Sequence, residues 1–132
     1  MNQLYYEYAK KLSDLGDRII NISDQFPLSL KLDTAEKIKN QYDISLKAIT
    51  EYKEVKLAFL LVVVPDIVQK EHKEVISALQ MFINGTEYMF KSIDVNNSHV
   101  DKDMISKGLS LQEQGKDRIV QLADQICKKF GV

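Results

Sequence analysis

The chain has 132 residues and a formal net charge of -1, from 18 Lys+Arg against 19 Asp+Glu. That is one domain's worth of length, and the balanced charge excludes the electrostatic footprint of a general nucleic-acid binder. Five Gly and two Pro are too few for the turns of an all-β fold, and a single Cys makes neither an internal disulfide nor a zinc site.

The first element is read from Met1, Tyr5, Tyr8, Leu12, Leu15, Ile19, Ile22 and Phe26. Steps of four and three put these residues on one stripe of a helix over about 2–26, which Pro27 stops. The second helix starts after Asp33, read as an N-cap with Glu36 three residues on. Its stripe is Ala35, Ile38, Tyr42, Leu46, Ile49 and Tyr52. Its end is open between 34–56 and 34–64, because the β-branched Val62-Val63-Val64 disfavours helix.

The third helix, 66–94, starts at Pro65 or Asp66, with Pro tolerated in a first turn. Its stripe is Val68, His72, Val75, Leu79, Phe82, Thr86, Met89 and Ile93, widened by Ile76, Ile83 and Phe90. Asn96-Asn97-Ser98-His99 reads as a turn. The fourth helix, 101–130, carries Met104, Ile105, Leu109, Leu111, Ile119, Leu122, Ile126 and Phe130. Gly108 and Gly115 lie seven apart on one of its faces, a spacing that suits close approach of a neighbouring helix. The expected fold is an all-α, up-down antiparallel four-helix bundle forming one domain over 1–132.

Patterns for chemistry are absent. A carboxylate-bridged dimetal bundle needs Glu-x-x-His pairs, but Gln69 precedes His72 by three and Asn96 precedes His99 by three. Cys127 stands alone, so the c-type haem attachment motif is missing. There is no Gly-x-Ser-x-Gly and no phosphate-binding glycine loop. Tyr5, Tyr8, Tyr42 and Tyr52 fall on core stripes without a basic groove beside them, so they read as packing. No catalytic, metal-binding or cofactor-binding residue is expected, and the chain reads as a non-enzyme.

Two features stand out instead. His72 and Thr86 are polar positions in an apolar seam. They act either as partners in structural hydrogen bonds or as handles in a pocket walled by Tyr8, Phe82 and Met89. The eight-residue block Leu57 to Val64 covers every face of a helix, so a surface helix cannot bury all of it. It is also far short of the ~20 residues that span a bilayer. Deep packing or self-association through Phe59, Leu60, Leu61 and Val63 is expected, rather than membrane contact.

The stretch from Pro65-Asp66-Ile67 through Glu71-His72 to Leu79, Phe82, Gly85 and Thr86, followed by Gly108-Leu109 to Gly115, resembles a recurrent pattern. It is similar to the helical domain of small cell-surface lipoproteins of Bacillus-type Gram-positive bacteria. The resemblance covers roughly 50–130, and the Lys, Asn, Ile and Tyr content is also similar to that of low-GC Firmicutes proteins. It implies an extracytoplasmic, non-enzymatic bundle held by a lipid-modified cysteine upstream. This chain has no such lipobox cysteine and Met1 to Lys11 is no secretory segment, so the expectation is extracytoplasmic if a signal was removed and cytoplasmic otherwise. The expected function is a binding or interaction module engaging a protein partner or itself through the 57–64 run. The alternative is an intracellular, globin-like but haem-less sensor of a lipid or other apolar ligand.

Overall fold

A computed structural model describes residues 2–25 and 32–132. Four helices pack against one another as an all-α bundle. Helix α1 is Gln3–Ser23, α2 is Ala35–Leu60, α3 is Gln69–Lys91 and α4 is Lys102–Phe130. The expected stripe contacts at Met1 and Phe26, and the stop at Pro27, lie outside the described residues.

The helix starts follow local chemistry. The side chain of Asn2 accepts a hydrogen bond from the Leu4 N–H at 2.8 Å, capping α1. At α2 the cap is Thr34, one residue later than expected. Its backbone is extended and its hydroxyl accepts from the Lys37 N–H at 3.2 Å. Asp33 is displaced from that role and binds the Lys37 ammonium at 2.9 Å. At α4 the carboxylate of Asp101 accepts from the N–H groups of Asp103 and Met104.

Helix α2 ends at neither expected place. It runs to Leu60, and Val62 to Val64 lie outside any helix. Three successive β-branched residues and the restriction that Pro65 imposes on Val64 explain the stop. Pro65 then precedes a 3-10 turn, Asp66–Val68, so α3 proper begins only at Gln69. Between α3 and α4 the expected turn is present, flanked by a ladder that periodicity did not announce. Strand β1 (Ile93–Asp94) pairs antiparallel with β2 (His99–Val100), with Ile93 opposite Val100. Ser98 closes the turn with a φ of 48°, in the left-handed region.

One buried cluster draws residues from all four helices. At one end Tyr8 of α1, Phe59 of α2, His72 of α3 and Phe130 of α4 form a single layer, with rings 4.7–6.0 Å apart. These residues come from the start of α1 and α3 and the end of α2 and α4. Successive helices therefore run antiparallel.

The α3–α4 seam is built differently. Gly85 and Gly108 face each other so closely that a Cβ on Gly85 would come 2.5 Å from the Gly108 carbonyl oxygen. A Cβ on Gly115 would meet the Ala78 carbonyl oxygen at 3.0 Å and the Phe82 ring at 3.1 Å. Each glycine weakens its own helix by about 1 kcal/mol relative to alanine. The return is close approach along the seam, backbone to backbone at Gly85 and Gly108 and backbone to the Phe82 ring at Gly115. The expected close packing at Gly108 and Gly115 is thus present, and Gly85 is its counterpart on α3.

Candidate functional site

The structure does not gather the five expected pocket residues into one site. His72, Thr86, Tyr8, Phe82 and Met89 are all buried. His72 and Thr86 are fourteen residues apart on α3, which is roughly 21 Å along the helix. Each lies in its own layer with its own partner.

His72 Nδ1 is 2.9 Å from the Tyr8 hydroxyl. With the hydroxyl as donor, the arrangement that strands no phenolic proton, the imidazole proton sits on Nε2. Burial raises the Tyr8 phenol far above its ordinary range, and the Glu71 carboxylate adds to the effect. Burial also lowers the His72 pKa, favouring the neutral ring that accepts this bond. Glu71 is itself buried, and both its oxygens lie 2.9 Å from the Lys129 ammonium, which also donates to the Ile67 carbonyl at 3.1 Å. The hydrogen bond from Lys129 holds the Glu71 carboxyl below the usual range.

Thr86 donates to the Phe82 carbonyl at 2.7 Å and accepts from Gln112 Nε2 at 2.9 Å. Gln41 and Ser45, buried on α2, bond each other at 3.3 Å. The Tyr52 hydroxyl lies 2.9 Å from Ser23 Oγ, and burial pushes its phenol up to about 12. No buried side-chain nitrogen or oxygen among the described residues lacks a partner. A polar handle waiting for a ligand would be left unpaired in the empty protein, whereas these groups are matched to one another. Among the described residues no cluster of His, Cys, Asp and Glu is arranged to hold a metal ion.

The apolar run divides. Phe59 is 3% exposed and belongs to the core, so the expectation that it joins a self-association surface is corrected. As a member of the aromatic layer it faces Tyr8 and His72. Leu60, Leu61 and Val63 are exposed, and Leu61 and Val63 reach 77% and 73%. Leu57 joins them at 59%. Leu57, Leu60 and the C-cap Leu61 are spaced i, i+3, i+4 and form one ridge at the end of α2. Ile67, also exposed, sits across Pro65 on the 3-10 turn.

A groove flanks that ridge on each side. On the α1 side a cleft of about 230 Å³ has Leu15, Val55, Phe59 and Val62 as its floor and Lys11 and Arg18 at its edge. On the α3 side a cleft of about 450 Å³ is lined by Leu57, Leu60, Gln80 and Ile83, with Lys53 and Glu87 at its rim. Lys53 and Glu87 lie 3.7 Å apart, and Lys56 donates to Gln80 at 2.7 Å. Sequence periodicity could not find these clefts, because they depend on how α1 and α3 lie against α2. The signal available in sequence was the unbroken block 57–64, of which Leu57, Leu60, Leu61 and Val63 are exposed in the structure.

Compared with known proteins, the chain matches no protein family, no curated protein and no solved structure. Among the described residues no helix is long and apolar enough to cross a membrane.

Proposed function

We propose that the chain is a non-enzymatic helical interaction module that docks a protein partner through the α2–α3 corner. The observation that carries this reading is the exposed ridge Leu57, Leu60 and Leu61 with Val63 shortly after it in the chain, on a bundle whose buried polar side chains, among the described residues, all have partners. The largest apolar patch on a small protein is often functional. The apolar-ligand sensor has less support, since its intended polar handle, His72, already holds Tyr8.

A photo-crosslinking residue at position 61 tests the proposal in cells that produce the chain. Protein adducts at 61 that are missing from the same substitution at exposed Ser110 are expected. Equal labelling at both positions, or no protein adduct at 61, overturns the reading. The extracytoplasmic setting belongs to the same proposal and rests on the resemblance to small Gram-positive surface lipoproteins. Fractionation of such a host should recover the native chain with the cell envelope, and recovery in the cytosol overturns that placement.

A further inference from the structure

Resting on that reading, we propose that the partner at the α2–α3 corner is a second copy of this chain, joined about a two-fold axis. In this arrangement the ridge of each copy seats in the α2–α3 cleft of the other.

Shape is the first argument. A two-fold contact requires one surface to complement itself, so that each patch offers both a projection and a recess. The ridge Leu57–Leu60–Leu61 is the projection, and the cleft of about 450 Å³ beside it is the recess. Leu57 and Leu60 belong to both, because they form the near wall of the cleft. Rows of side chains three and four apart, set beside a groove, are the geometry by which helices pack on one another.

Area is the second. The exposed parts of Leu57, Leu60, Leu61 and Val63 amount to on the order of 450 Å² of mostly apolar surface. A stable interface takes roughly 800 Å² from each partner. The apolar centre supplies more than half of that, and the cleft walls around Lys53, Gln80 and Glu87 supply the remainder. The result is a dimer near the lower size limit, one that forms and separates with concentration.

Charge is the third, and it selects among occupants. The cleft carries both signs: Lys53 and Lys56 of α2 face Glu87 of α3, and exposed Glu54 stands next to Lys53 on α2. Lys53 and Lys56 are already engaged by Glu87 and Gln80. An anionic bilayer calls for a surplus of free cations around the apolar centre. A second copy brings the same mixed rim and meets it without net repulsion.

Sedimentation equilibrium of the full chain, from low micromolar to near-millimolar concentration, tests the inference. The mass should move from 15.2 kDa toward twice that value as concentration rises. Leu61→Glu and Leu57→Glu should stay monomeric throughout, with the helical circular dichroism and Tm of the parent. Ser110→Glu should associate as the parent does. A parent that stays monomeric overturns the inference, as does a dimer that survives both leucine substitutions. Co-flotation of a monomeric parent with phosphatidylglycerol vesicles, lost in Leu61→Glu, overturns it in favour of a membrane. A monomeric parent whose position 61 still crosslinks to a different protein leaves the interaction module standing and removes only the second copy.

Discussion

The α3–α4 seam and the attachment of α1 solve the same packing problem in opposite ways. Along the seam, Gly85, Gly108 and Gly115 remove side chains so that backbone meets backbone and ring. Helix α1 is held through large side chains instead. Tyr8, Leu12, Leu15, Ile19 and Ile22 reach inward, and an open cleft remains between α1 and α2. Contact through glycines tolerates no added atom, whereas contact through long side chains leaves gaps and can adjust. The exposed apolar ridge lies at the end of α2, away from that tightest seam.

The largest effect should come from filling the seam. Gly108→Val drives a branched side chain into the Gly85 carbonyl and Met89 and should cost about 3 kcal/mol or more in urea denaturation. A loss below about 1 kcal/mol would show that the seam relaxes as easily as the α1 side.

At the aromatic end, Tyr8→Phe removes the hydroxyl and leaves His72 Nδ1 buried without its donor. A loss of about 1–2 kcal/mol is expected. His72→Leu removes the polar partner as well, and Tyr8→Phe/His72→Leu should lose less than the sum of the two single changes. Additive losses would mean that the 2.9 Å contact contributes nothing.

Thr86→Val deletes the acceptor of Gln112, whose amide can still turn toward solvent, so about 1 kcal/mol is expected. Gly16→Ala sharpens the comparison from the other side. A Cβ at Gly16 meets nothing within 4 Å, so the change should stabilise α1 by about 0.5–1 kcal/mol, read as a rise in Tm. Destabilisation there would mean that α1 is packed as closely as the seam.

The smallest effect is the pH response. The folded His72 has a pKa below its ordinary 6.5, so the unfolded chain takes up a proton first as pH falls. Stability is unaffected by this group above that value. It falls as pH drops from 6.5 toward the folded pKa, below which the loss is complete. The comparison of parent with His72→Leu by urea denaturation between pH 7 and pH 5 isolates the effect, and identical slopes would remove His72 as its source.

Much of the bundle was legible from period alone. The stripe Val68 to Ile93, on α3 and the short elements that flank it, is buried residue for residue, because its positions recur every three or four steps. On α2 hydropathy and burial part company. Leu46 falls on the apolar stripe yet is 48% exposed, while Gln41 and Ser45 are buried. Hydropathy cannot recognise a polar pair that satisfies itself by the Gln41–Ser45 bond. The expected pocket failed for a related reason. Polar residues sharing a helix stripe are not thereby neighbours, and His72 and Thr86 found partners on α1 and α4.

Sequence alone determined the four helices, their antiparallel order and the corner where apolar surface exceeds what one bundle can bury. Those properties follow from local spacing and from the length of an apolar block. Tertiary structure decided that Gly85 meets Gly108, that Phe59 turns inward while Leu57, Leu60, Leu61 and Val63 stay outside, and that a cleft lies beside them. Each of these depends on where a second helix passes, and the spacing of residues on one helix carries no information about the path of another.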